Sequence, residues 1–263
     1  MSQPTRPSHT EPVVTLPLFE LSTADAVSWL RDQPAASVDL LVTDPAYESL
    51  EKHRAVGTTT RLKHSKASSN DWFRVFPNER FAELFAEVFR VLKPDTHFYL
   101  YCDAETMFVA KPEAERAGFK FWKPLVWDKR TIGMGYHYRA RYEFILFFEK
   151  GKRRLNDLGI ADIIVESRIH RGYPAEKPVR VSEVLINQST QPGEVVADPF
   201  MGSGSIGVAA VKNGRRFIGT DLNPGAVRIT SDRLKEYGTG HAPDDLPPAT
   251  DQASLLEMIT SET

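Results

Sequence analysis

The chain has 263 residues, 41% of them hydrophobic and 26% charged, and a formal net charge of −2. That length can bury a sizeable core in one large domain or two small ones, and the near-neutral charge excludes a uniformly basic nucleic-acid coat, so any nucleic-acid contact must be a local patch. One cysteine, Cys102, excludes a disulfide framework and a cysteine-built zinc site within one chain and suits a reducing, cytoplasmic setting; no stretch reaches the roughly 20 apolar residues of a membrane span, and the Pro-rich start lacks the apolar segment of a signal peptide.

Residues 1–12, rich in Pro, Ser and Thr, read as a disordered N-terminal tail, and a single domain is expected over 13–237. A strand within Val13 to Leu21 leads to a short amphipathic helix, Ala24 to Arg31, with Ser22 or Thr23 as its N-cap. Val38 to Thr43 is a β-rich run that stops at Asp44-Pro45-Ala46-Tyr47, because proline cannot continue a central strand. The segment 48–77 shows no period and carries many basic residues, and a loop of that length usually has a function. Asn78 is placed as the cap of a helix in which Phe81, Leu84, Phe85, Val88 and Leu92 share a face, ended by Pro94. A strand from Phe98 to Tyr101, a helix from Ala104 to Ala117 and a strand from Phe121 to Trp127 follow. Then come a second basic loop at 128–140, a strongly apolar strand from Tyr142 to Phe148, a third basic loop at 151–174 and a helix from Pro178 to Ser189.

The run Val195-Val196-Ala197 ends in Asp198-Pro199-Phe200-Met201-Gly202-Ser203-Gly204-Ser205, and a helix of small residues follows. Glycines there let the backbone approach a ligand closely. The last strand, Arg216 to Thr220, ends in Asp221, and Asn223-Pro224 supplies a cap and a first-turn proline for a helix to about Tyr237. Residues 238–263 are polar and read as a C-terminal tail. Strands alternating with helices predict an α/β fold with a mostly parallel, doubly wound sheet. In such a sheet the strand carboxyl ends converge on the ligand crevice, which gathers Asp44, Asp198 and Asp221 in one cleft. The bland alternative is that each acid only caps the helix after it.

Asp44-Pro45-Ala46-Tyr47 resembles the DPPY motif of the S-adenosylmethionine-dependent amino methyltransferases of DNA, and Asp198 to Ser205 resembles their DPFxGSGT cofactor loop. The order, catalytic motif before cofactor loop, is that of the β group, whose class I (Rossmann-like) methyltransferase fold is circularly permuted. Arg90-Val91-Leu92-Lys93-Pro94, Arg141-Tyr142-Glu143-Phe144-Ile145-Leu146 with Lys150-Gly151, and Ala175-Glu176-Lys177-Pro178 are similar to further stretches of that family. Two departures stand out: Ala46 replaces the second proline, and Ser205 replaces threonine.

The resemblance implies methyl transfer from S-adenosylmethionine to the N6 amino group of a flipped adenine. An exocyclic amino group is a poor nucleophile because its lone pair is delocalised into the ring. Hydrogen bonds accepted from both amino hydrogens localise that lone pair, and the Asp44 carboxylate and the Pro45 carbonyl can accept them. Tyr47 would stack on the base and offset part of the unpairing cost. On the donor side the resemblance implies Asp198, Pro199, Phe200, Gly202, Ser203, Gly204 and Ser205 around the methionine part of the cofactor. Asp221, with Leu222 and Asn223, would lie on the ribose, Asp25 on the adenine amino group, and Lys177 close by. Double-stranded DNA is the implied partner, held by Lys52, Arg54, Arg61 and Lys63 of the first loop and by Lys129, Arg130 and Arg139 of the second. No segment is long enough for a separate recognition domain, so recognition is of a short site or is shared in a homodimer. His53, His64 and His170 show no ligand spacing, so no metal is expected. A lone thiol in an apolar strand end does not suit C5 chemistry on cytosine, which needs a thiolate. The alternatives are N4-cytosine methylation, a DNA-binding module of this fold with impaired catalysis, and a nicotinamide oxidoreductase, the last disfavoured by the missing GxGxxG.

Overall fold

The computed structural model describes residues 17–49, 74–133, 137–169 and 176–242. The expected N-terminal tail, Lys52, Arg54, Arg61 and Lys63 of the first basic loop, and the chain beyond 242 lie outside the described residues. Eight strands form one sheet: β1 (Phe19–Thr23), β2 (Val38–Thr43), β3 (Leu92–Cys102), β4 (Lys120–Asp128), β5 (Tyr142–Lys150), β6 (Ile163–Val165), β7 (Val195–Asp198) and β8 (Arg216–Asp221). Their order is β1-β8-β7-β2-β3-β5-β4-β6. Every neighbouring pair is parallel except the two that β5 makes, with β3 and with β4.

Six helices are described: α1 (Ala26–Asp32), α2 (Phe81–Val91), α3 (Ala104–Arg116), α4 (Val179–Ser189), α5 (Ser205–Lys212) and α6 (Pro224–Lys235). Residues from α1, α2 and α3 pack in one core cluster, and residues from α4, α5 and α6 in the other. The alternation within β3 divides the two: Phe98, Leu100 and Cys102 face the first cluster, Tyr99 and Tyr101 the second. That is the doubly wound α/β sheet expected from the alternation of strand and helix. In α2 the buried residues Phe81, Leu84, Phe85, Val88 and Val91 form one apolar stripe, which is why this segment docks on the sheet as a helix.

Several boundaries differ from expectation. Asp25, not Ser22 or Thr23, caps α1: its carboxylate accepts from the backbone N–H groups of Val27 and Ser28. Asn78 lies inside a 3-10 turn, Asn78–Arg80, ahead of α2. Pro94 does not end that helix but sits within β3, where the pairing with β2 is interrupted between Leu92 and His97. A proline costs no ladder hydrogen bond at such an irregularity. The third basic loop contains β6, three residues long and too short to announce itself by periodicity. The segment after α6 returns to the sheet, since the N–H of His241 donates to Phe19 O and its carbonyl accepts from Leu21 N.

The strands β1, β8, β7 and β2 are consecutive and parallel, so their carboxyl ends share one edge of the sheet, joined by the amino end of the reversed β5. On that edge the turn from β7 into α5 is held by Gly204, at φ +76°. A Cβ there would lie 2.5 Å from Thr230 Cγ2 and 2.7 Å from its Oγ1. Thr230 Oγ1 in turn donates to Gly202 O at 2.9 Å. Gly193 has a similar φ of +86° but open space around it. Gly204→Ala is therefore expected to lower stability by about 1–3 kcal/mol, from backbone strain plus the clash. Gly193→Ala should lose only the strain. Urea midpoints of the two variants check this, and equal losses would mean that the Thr230 contact carries no weight.

Candidate active site

A cavity of 520 Å³ opens at this edge, and Asp25, Asp44 to Tyr47, Phe76, Arg80, Glu143, Lys177, Asp198 to Ser203, Ser205, Asp221 and Leu222 line it. The structure thus brings together the two motifs that the sequence separates. Thr43 Oγ1 donates to Asp198 Oδ1 at 2.7 Å, across 155 residues of chain. That bond joins the end of β2 to the end of β7, whose strands pair at Leu40–Val196 and Leu41–Ala197.

At the β2 end, Tyr47 is buried and its hydroxyl donates to Asp44 Oδ1 at 2.5 Å. Burial, then the charges of Asp44 and Glu143, push the phenol pKa well up, so it stays a donor. Lys177 Nζ lies 2.6 Å from Asp44 Oδ2 and 3.2 Å from Glu143 Oε2. Burial alone would lower the Lys177 pKa, but Asp44 and Glu143 more than offset it and raise it above its ordinary value. The Ala46 carbonyl accepts from Phe76 N at 2.8 Å, so the residue that departs from the family pattern anchors the returning chain through its backbone. Phe76 then meets Phe200 edge to face at 5.1 Å.

At the β7 and β8 ends the acids organise the loop. Asp198 Oδ1 also accepts from Phe200 N at 3.0 Å. Asp221 accepts from Gly202 N at 3.0 Å and from Asn223 N at 2.8 Å. Burial raises both carboxyls; Asp198 reaches about 7, against the hydrogen bonds from Thr43 and Phe200 N and helped by the charges of Asp44 and Asp221. Gly204 and Asn223 shape the turns and do not line the cavity. Asn223 caps α6 through Gly225 N. Pro199, Ser203, Ser205 and Leu222 line it.

Some placements were not foreseen. Asp25 lines the cavity, but both its oxygens hold Arg80, at 2.8 and 3.0 Å, and one also caps α1. The Arg80 guanidinium lowers the Asp25 carboxyl to about 2. Nothing in the sequence near Arg80 signals this pairing, which spans 55 residues. Lys129 turns inward, with Nζ 2.5 Å from Glu143 Oε1, because that half-buried carboxylate draws a cation. Arg130 and Arg139 are exposed at the same edge. Cys102 is buried and burial raises its thiol pKa, as a core residue requires. Among the described residues no group of acids, histidines and cysteine could hold a metal, and no helix is long and apolar enough to cross a membrane.

Comparison with known proteins gives a match to a family model described as DNA methylase, of N6/N4 methyltransferases, over residues 38–164 and 161–232. YubD of Escherichia coli (strain K12) is 31% identical over 204 residues, covering 75% of this chain and 82% of its own. The DNA adenine methyltransferase YhdJ of the same organism is 26% identical over 250 residues, covering 80% of each. The crystal structure of an M1.HpyAVI–SAM complex superposes with a TM-score of 0.62 at 21% identity, over 82% of this chain and all of that one, which establishes the shared fold.

The buried Asp198 carboxyl has a measurable consequence. Below about pH 4 both the folded and unfolded chains carry its proton; between about 4 and about 7 only the folded chain does. Its contribution to stability therefore falls as pH rises through that window. Asp198→Asn keeps the acceptor for Thr43 and Phe200 N and removes the titration. The difference in unfolding free energy between wild type and Asp198→Asn should change by a few kcal/mol between pH 4 and 7, in favour of the variant at the upper end. A constant difference would place the Asp198 carboxyl at an ordinary value.

Proposed function

The chain belongs to the DNA methylase family of N6/N4 methyltransferases, and we propose that it transfers the methyl group of S-adenosylmethionine to the N6 amino group of adenine in double-stranded DNA. The observation that carries this reading is the single cavity in which Asp44-Pro45-Ala46-Tyr47 faces the Asp198 to Ser205 loop. The residues present fit the cofactor. Four aspartates, Asp25, Asp44, Asp198 and Asp221, line the cavity beside Phe200 and suit a ligand with a sulfonium, an ammonium and ribose hydroxyls. When bound, the cofactor supplies an electrophilic methyl group.

The chain supplies the rest. Asp44 accepts one amino hydrogen and the Pro45 carbonyl the other, which turns the nitrogen lone pair out of conjugation and toward the donor. Tyr47 holds Asp44 in place by its hydroxyl and offers its ring to a base turned out of the duplex. Asp221 faces the ribose, and Phe200 packs against the methionine part. Asp25 reaches the adenine ring only through lone pairs that Arg80 and α1 leave free, so Arg80 joins it in that subsite. Arg130 and Arg139 hold phosphates, with the basic residues of 48–77; Lys129, spent on Glu143, does not. An Asp at the first position of the tetrapeptide, where the N4-cytosine enzymes of this family favour Ser, supports adenine. The relative named as a DNA adenine methyltransferase supports the same base.

Asp44→Ala tests the assignment. Turnover of labelled methyl groups into DNA should fall by at least about 10²-fold, the scale for removing one preorganised electrostatic contact. Cofactor affinity, measured by calorimetry, should stay within a few-fold. Turnover left intact would remove Asp44 from the chemistry.

A further inference from the structure

Lys177 stands in the part of the family pattern that the resemblance places near the cofactor, yet its two close partners, Asp44 and Glu143, are on the acceptor side of the cavity. Four charges alternate in sign along this side: Asp44, Lys177, Glu143 and Lys129, at 2.6, 3.2 and 2.5 Å. They come from four separate places in the fold, the end of β2, the turn before α4, the start of β5 and the loop after β4. Each ammonium is further framed by an aromatic ring. Lys177 lies 5.6 Å from the centroid of Tyr101 and Lys129 lies 5.0 Å from that of Trp127. Glu143 Oε2 is sealed from solvent, and the Lys177 ammonium is the cation that faces it.

We propose that Lys177 is a positioning residue of the acceptor half of the site: with Glu143 behind it, its ammonium fixes the Asp44 carboxylate as a pure hydrogen-bond acceptor for the amino group of the target base. This rests on the methyl-transfer reading above and assigns Lys177 to the base rather than to the cofactor.

A carboxylate has about four lone-pair sites. Tyr47 takes one on Oδ1 and Lys177 one on Oδ2, which pins the carboxylate rotation and leaves the others for the cavity. The charged and titratable groups around Asp44 are Tyr47 beside it, Tyr101 and Cys102 on β3, Glu143 on β5, Lys177, and Asp198 on β7. The two phenols and the thiol are held neutral by burial. Without Lys177, Asp44 would face Glu143 with no cation between them, and like charges in one site disfavour joint ionisation. Asp44 would then take up a proton and present a donor where an acceptor is needed.

The test measures methyl transfer into DNA against pH, and cofactor affinity by calorimetry, for wild type, Lys177→Met, Lys177→Arg, Glu143→Gln and the double variant Lys177→Met/Glu143→Gln. Lys177→Met should lose about tenfold or more in kcat, with the acid limb of the kcat profile moved toward neutral pH. Cofactor affinity should change less than threefold. Lys177→Arg should recover part of kcat by restoring the charge, and the double variant should exceed Lys177→Met because removing the Glu143 charge relieves its repulsion of Asp44. Should Lys177→Met not fold, Lys177→Arg and the double variant carry the same readouts. An affinity loss above tenfold with kcat intact at saturating cofactor would overturn the proposal and return Lys177 to the donor side. An unmoved acid limb would reduce Lys177 to a packing role and would also overturn it. If the wild type itself transfers no label, the methyl-transfer reading fails, and cofactor affinity of Lys177→Met alone then decides on which side Lys177 acts.

Discussion

The hydrogen bond from Thr43 to Asp198 is the contact on which the site depends. It closes a 155-residue loop of chain and fixes the end of β2 against the end of β7. In the strand order, chain connections depart in opposite directions from this pair, β2 toward β3 and β7 toward β8. That divergence opens the crevice in which ligands of doubly wound sheets bind. Asp198 thus serves two purposes with one oxygen. It holds the segment from Asp44 to Tyr47 in register and, through Phe200 N, sets the first turn after β7. Its buried carboxyl is therefore a structural part of the site before any ligand is considered.

Electrostatics divide the cavity into two halves of different character. At the β7 and β8 ends Asp198 is buried and Asp221 half-buried, burial raises both carboxyls, and their hydrogen bonds come mostly from backbone N–H groups. A cationic ligand would relieve their desolvation. At the β2 end Asp44 already has a cation, Lys177, and the neighbouring Glu143 has two. Burial would raise the Glu143 carboxyl, but Lys177 and then Lys129 more than offset this and hold it below its ordinary value. Acids with no ion pair among the described residues and acids already matched by a protein cation thus sit side by side in one cavity.

Much of this was legible in the chain. The alternation of apolar runs with amphipathic stripes revealed the α/β sheet, because buried parallel strands and one-sided helices have distinct patterns. The two Asp-Pro motifs marked two strand ends that meet in one cavity, because a strand that ends in an acid and a proline must present that acid at the sheet edge. The contacts across many residues were not legible. Arg80 reaches Asp25 across 55 residues of chain, and Lys129 folds inward onto Glu143 although it looks like any loop lysine. Local sequence records neither the turn geometry that aims a long side chain nor the buried charge that attracts it. Ala46 is where the tetrapeptide departs from the family pattern. Its backbone carbonyl, which any residue possesses, does the anchoring through Phe76 N, so the missing proline costs the turn a constraint but not its hydrogen bond.

The most direct measurement is chemical. Wild-type protein is incubated with methyl-labelled S-adenosylmethionine and mixed-sequence duplex DNA, the DNA is digested to nucleosides, and the labelled nucleoside is identified. The expected product is N6-methyldeoxyadenosine. Label in N4-methyldeoxycytidine would contradict the adenine assignment, and cofactor binding with no label in any nucleoside would contradict catalysis itself.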